Sequence, residues 1–279
     1  MMKLAYGTYA MPTVPLEEAI PGLADIGYDG IEICVGPNRD RGDLADFDAA
    51  RRAALRQSLG DAGLGLPALF MLGSVFTPDA AAHQANLERL REAAQLARDL
   101  GMAGPPVLAL GFGAGRDQWD DIRSRMVDLL GDYAALAEEH DFILAGEAHT
   151  GAAVNCSERI TWLLDTVGSP RVRLHFDIVH LFLAGEPITA AVQRLLPYTA
   201  HTHVTDAIRK DDGSFALVLP GTGQLDLVEY VGAMHEYGWD SFITLEISTM
   251  VWSQPEYDVW GAAQHCYDVM QAAAAQAGV

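Results

Sequence analysis

The chain has 279 residues, half of them hydrophobic and one fifth charged, and 18 Lys+Arg against 38 Asp+Glu give a formal charge of −20. This composition supplies a large apolar core, and the negative field opposes binding to a nucleic-acid backbone or an anionic membrane surface. No apolar run approaches the roughly 20 residues of a membrane span, the opening segment lacks the long apolar core expected of a signal peptide, and the widely spaced Cys34, Cys156 and Cys266 suit reduced thiols in a cytoplasmic protein.

Short apolar runs alternate with longer amphipathic segments. The predicted order is strand 3–6, helix 16–26, strand 30–35, helix 47–62, strand 66–72, helix 78–100, strand 107–110 and helix 120–139. There follow strand 142–146, helix 158–166, strand 172–176, helix 189–195, strand 200–204, helix 225–237, strand 242–247 and helix 257–277. In the third helix Leu87, Leu90, Ala94, Ala97 and Leu100 make one apolar stripe. Gly27, Gly63, Gly101 and Gly238 stand where helices should stop. Eight strand–helix units imply right-handed parallel crossovers and predict an α/β fold, a single-domain (β/α)8 TIM barrel over residues 1–279. The open-sheet alternative lacks its phosphate turn, because Gly111–Gly115 does not have the GxGxxG spacing.

In a barrel of this kind chemistry sits where strands end. Four successive strands end in polar residues here, at Glu147, Asp177, His203 and Glu246. Residues two apart share a face, so Arg173, His175 and Asp177 should turn inward while Leu174 and Phe176 pack on helices. Three carboxylates converging without a cation would repel one another. A divalent ion resolves that, and three oxygen ligands with one imidazole suit Mn²⁺, with Mg²⁺, Co²⁺ or Zn²⁺ as alternatives.

With these residues in place the chain resembles the sugar isomerases and epimerases of the xylose-isomerase-like barrel superfamily, closest in pattern to ketose 3-epimerases and inosose isomerases. The resemblance covers essentially the whole chain. It rests on Glu147, Asp177-Ile178-Val179-His180, His203, Glu246, the segment Leu219–Asp226 with its Pro-Gly-x-Gly turn, and Gly27–Glu32 at the second strand. It implies that Glu147, Asp177, His203 and Glu246 bind one divalent metal and that His180 and Arg209 contact substrate. The superfamily also holds abasic-site endonucleases with three zinc ions. This chain has Phe215–Leu219 in place of their Asp-x-His, and its third and fourth strands carry no His.

A metal chelated by a ketone and the neighbouring hydroxyl would acidify the intervening C–H as an enediolate forms. Glu147 and Glu246, on opposite sides of the substrate, would then remove and return the proton. The expected function is a divalent-metal-dependent epimerase or isomerase of a ketose or related keto-sugar. A lyase-type relative and a sugar-binding barrel without turnover are the alternatives. Glu32 is expected either to meet sugar hydroxyls or to pair with an arginine. Tyr6, Phe70, Phe112 and Trp252 could form an apolar wall against a sugar ring. His175 and His201 lie one pleat deeper than the ligands and should pack on or bond to them, while His149 suits either a partner of the ligands or a solvated loop. Residues 207–219 read as a loop or hairpin over the mouth, and the Ala272–Ala275 run leaves room for a homo-oligomer.

Overall fold

In a computed structural model, which describes residues 3–36 and 42–279, the chain closes into an eight-stranded parallel barrel wrapped by helices. The strands are β1 (Lys3–Gly7), β2 (Gly30–Val35), β3 (Leu69–Ser74), β4 (Val107–Gly111), β5 (Ile143–Glu147), β6 (Val172–Asp177) and β7 (Thr199–Val204). A hairpin, β8 (Asp206–Arg209) and β9 (Phe215–Val218), then precedes the last barrel strand, β10 (Phe242–Leu245). The helices are α1 (Leu16–Ile26), α2 (Ala49–Ala62), α3 (Ala80–Asp99), α4 (Trp119–Glu139) and α5 (Ser157–Val167), followed by α6 (Ile178–Leu183), α7 (Ile188–Leu195), α8 (Leu227–Glu236), α9 (Thr249–Trp252) and α10 (Val259–Ala277).

Strand order around the barrel is β1-β10-β7-β6-β5-β4-β3-β2. Each strand thus neighbours the strands before and after it, as right-handed crossovers require. The expected elements are all present with ends displaced by a few residues, and the segment over the mouth is a hairpin. Two short helices, α6 and α9, were not expected. Both follow a barrel strand closely and are too brief to show a 3.6-residue stripe. Gly27, Gly63, Gly101 and Gly238 all take positive φ at helix ends, where a side chain would strain the backbone.

The main core lies between sheet and helices, where Leu4, Ile31, Leu108, Leu144, Leu174 and Phe176 meet apolar helix faces. Inside the barrel the apolar cluster is small, namely Cys34, Phe70, Ala109 and Ala145. Beside it the interior holds buried polar side chains, for Glu32, His175 and His203 are 0% exposed and His201 only 2%. Buried polar groups are costly unless they are paired, so this layer has to be explained by its contacts. No described helix is long and apolar enough to cross a membrane.

Candidate active site

Strand register builds the site. Glu147 on β5 stands opposite His175 on β6, and Asp177 opposite His203 on β7. Glu246 follows β10 directly, held where its N–H donates to Val204 O (3.2 Å). Ligand atoms of Glu147, Asp177 and His203 all lie within 4.8 Å of one another, and Glu246 Oε2 is 3.9 Å from His203 Nδ1. The structure therefore brings together the four residues expected to hold a cation.

Local structure orients each of them. Asp177 caps α6, its Oδ1 accepting from the N–H of Val179 (3.0 Å), the usual use of Asp at a helix start. Its other oxygen, Oδ2, is buried and has no hydrogen-bond partner among the described residues, and the same holds for His203 Nδ1. Both atoms belong to the cluster of carboxylates and imidazole. Burial, then the charge of Glu246, pushes the Glu147 carboxyl well above the usual carboxylate range, and burial raises Asp177 too. Orphaned donor atoms among mutually repelling carboxylates fit a divalent cation, because an ion would satisfy the lone pairs and remove the repulsion together.

Glu32 lies elsewhere than expected. It meets neither an arginine nor open space, but crosses the barrel interior to accept from His201 Nε2 (2.6 Å) and His203 Nε2 (2.9 and 3.0 Å). Burial alone would raise its pKa, but the His203 and His201 imidazoles override that and bring it to about 2. Burial would lower His203, yet Glu32, with Glu246 and Glu147, raises it to about 10 in the metal-free chain. Tyr6 is also corrected. It is 0% exposed, packs on Tyr28 (5.4 Å between centroids) and faces Tyr257 in the segment between α9 and α10. The pleat decides this, since Ala5 and Gly7 take the inward positions of β1. Phe112 likewise packs into the outer core.

The remaining expected residues gather at the rim. His180, on the first turn of α6, has Nε2 3.5 Å from Asp177 Oδ2 and Nδ1 3.1 Å from Thr150 Oγ1. Burial lowers it to about 3. His149 stacks on it with ring centroids 3.9 Å apart, and burial lowers His149 to about 4, so both imidazoles are neutral near pH 7. Arg209 is exposed at the end of β8, its guanidinium 3.8 Å from the centre of the Phe182 ring and bonded to Phe182 O. A line of edge-on rings runs inward from Trp252 to Tyr9 (5.5 Å), Phe70 (5.7 Å) and His203 (5.2 Å). His175, beneath the carboxylates, has both ring nitrogens without a partner among the described residues, and burial holds it well below the usual imidazole range.

Sequence reasoning missed Asp206. This fully buried carboxylate accepts from the N–H groups of Ala207 (2.7 Å), Gly221 (3.0 Å), Gly223 (2.8 Å) and Leu225 (2.9 Å), and so ties the Pro-Gly-x-Gly turn to the hairpin. A Cβ at Gly223 would lie 2.3 Å from Asp206 Oδ1, so only glycine admits the carboxylate. The turn residues carried a signal, but nothing local marked their partner.

Comparison with known proteins agrees with this architecture. The chain is 24% identical to fructoselysine 3-epimerase of Escherichia coli O157:H7 over 265 residues, covering 91% of this chain and 93% of that one. It is 24% identical to the L-ribulose-5-phosphate 3-epimerase UlaE of Escherichia coli over 266 residues, covering 91% and 88%. Among solved structures, an L-ribulose 3-epimerase superposes with TM-score 0.78 at 20% identity, covering 100% of this chain and 96% of that one. The IolI protein with a bound zinc atom superposes with TM-score 0.79 at 20% identity, covering 99% of each. These two likenesses bear on the fold. Residues 22–267 match the family described as the xylose isomerase-like TIM barrel, and the chain belongs to that family.

Proposed function

We propose that the protein is a divalent-metal-dependent epimerase or isomerase of a ketose or related keto-sugar, with Glu147 and Glu246 as its acid–base pair. The observation that carries this reading is the approach of Glu147, Asp177 and His203 to within 4.8 Å, with Glu246 3.9 Å from the same imidazole. Relatives named as 3-epimerases, aligned over most of the chain, support the reaction class.

These four residues would hold one cation, Mn²⁺ in our reading, which when bound supplies Lewis acidity to a substrate carbonyl and acidifies the neighbouring C–H. The chain's own residues move the proton. Glu147 on β5 and Glu246 after β10 are separated by β6 and β7 around the barrel, so they approach a substrate at the mouth from different directions. One carboxylate removes the proton and the other delivers one to the opposite face, which inverts the carbon. Return of the proton to the adjacent carbon instead makes an aldose–ketose isomerase from the same pair. His180 and Arg209 orient the substrate from the rim. Arg209 is steadied on Phe182 of α6, the helix that also carries His180.

The test is solvent deuterium incorporation at the substrate carbon, run with added Mn²⁺ across ketoses, keto-acids and inososes, with fructoselysine and L-ribulose 5-phosphate included. Exchange on at least one keto-sugar is expected. A metal-loaded protein that exchanges none of them would leave the sugar-binding alternative in its place.

A further inference from the structure

We propose that Glu32 is a positioning residue for the cation site: by accepting the Nε2 proton of His203 it keeps the Nδ1 lone pair of that imidazole aimed at Glu147, Asp177 and Glu246. This rests on the functional reading above. Glu32 touches neither the proposed cation nor the reacting atoms, and it acts through His203.

The geometry points to this role in four ways. First, Glu32 is 0% exposed and reaches from β2 to β7 across the interior, and its ion-pair partners among the described residues are His201 and His203. Second, both its oxygens lie within bonding distance of His203 Nε2, at 2.9 and 3.0 Å, so one imidazole N–H is shared by a whole carboxylate. Third, room for that carboxylate is provided by Gly7 on the adjacent β1, where a Cβ would lie 3.0 Å from Glu32 Oε1. Fourth, the His203 ring is held between two others, His175 edge-on at 4.0 Å and Phe70 at 5.2 Å.

A ring turned over would carry its Nε2–H away from Glu32 and leave a buried carboxylate with one partner fewer, which is unfavourable. In the neutral ring that binds a cation the proton therefore stays on Nε2, and Nδ1, which is buried and has no hydrogen-bond partner among the described residues, faces the carboxylates. An imidazole that donates its far N–H to a carboxylate is also a more basic ligand. His201 donates to the same carboxylate at 2.6 Å and so fixes Glu32 in turn.

The test compares wild type with Glu32→Gln and Glu32→Asp. Glutamine has the same shape but offers one acceptor oxygen and a donor amide to two imidazole N–H groups. Aspartate keeps the charge on a shorter stem. Mn²⁺ and Zn²⁺ affinity, measured by competition with a chromogenic chelator, should fall by roughly 10- to 100-fold in Glu32→Gln, with Glu32→Asp between it and wild type. A purely structural role would alter melting temperature without that order of affinities. The second readout needs no metal. Ring ¹⁵N–¹H spectra should show a slowly exchanging, low-field His203 Nε2–H in wild type that is lost or shifted upfield in Glu32→Gln. A Glu32→Gln chain that binds Zn²⁺ as tightly as wild type, or a Zn²⁺-loaded wild type with the His203 proton on Nδ1, overturns the inference. A wild type that binds neither ion overturns the functional reading, and with it the purpose assigned to Glu32; weakened binding confined to the variants does not.

Discussion

Replacing Glu147 by glutamine should raise the stability of the metal-free protein and lower the stabilisation that metal provides. The magnitude follows from the site. Glu147 is 9% exposed, and its ligand atom lies within 4.8 Å of those of Asp177 and His203. At that separation two unit charges interact by about 3.5 kcal/mol at an effective dielectric constant near 20. Repulsion from Asp177 and attraction to charged His203 are therefore of similar size and largely cancel. Burial and the charge of Glu246 remain, and they hold the Glu147 carboxyl above its usual range. An acid whose folded pKa is raised is neutral in both states well below its unfolded value. The cost of ionising it in the folded state appears as pH climbs above that value. At pH 7.5 Glu147→Gln removes this cost, so the metal-free variant should melt higher than wild type. Metal at a hundred times its Kd should stabilise wild type by about 2.7 kcal/mol, and a tenfold weaker site forfeits about 1.4 kcal/mol of that. The assay is thermal unfolding of EDTA-treated and Mn²⁺-loaded protein, wild type and variant side by side. A variant that melts lower without metal, yet gains as much from Mn²⁺ as wild type, would refute the argument that Glu147 belongs to a mutually repelling ligand cluster.

Turnover should fall by at least about 100-fold in both Glu147→Gln and Glu246→Gln, with deuterium exchange falling alongside, whereas His180→Ala and Arg209→Ala should show more of their effect in KM. Wild-type exchange rates in both glutamine variants would exclude the two-carboxylate scheme. Below pH 6.5 the unfolded chain protonates His180 while the folded chain, where burial lowers it to about 3, does not; this should cost the metal-free protein about 2 kcal/mol by pH 5. Urea unfolding of His180→Phe should show a shallower loss between pH 7 and pH 5, and an unchanged slope would count against it. Asp206→Ala strands four backbone N–H donors and should cost at least about 3 kcal/mol in denaturant unfolding, a result within error of wild type being the contrary finding. Abasic DNA should not be cleaved above background, since β3, β4 and residues 215–219 carry no His or Asp; EDTA-sensitive incision would overturn that.

The eight strand–helix units were legible because each depends on contacts between near neighbours in sequence, a period of two or 3.6 residues ended by a glycine. The set Glu147, Asp177, His203 and Glu246 was legible for a related reason, for in a parallel barrel the strand ends share one mouth. Parity was harder. On β6 the polar Arg173, His175 and Asp177 mark the inward face, but β1 has no such marker, and Tyr6 turned out to face the helices. The partners of Glu32 lie 169 and 171 residues away, and those of Asp206 include backbone groups 15 to 19 residues on. Sequence decided which segments become strands and which side chains stand at their ends, because local sterics and hydrophobic periodicity act over a few residues. Which buried carboxylate meets which imidazole was decided only when the barrel closed, because closure alone sets the register that brings β2 within hydrogen-bond reach of β7.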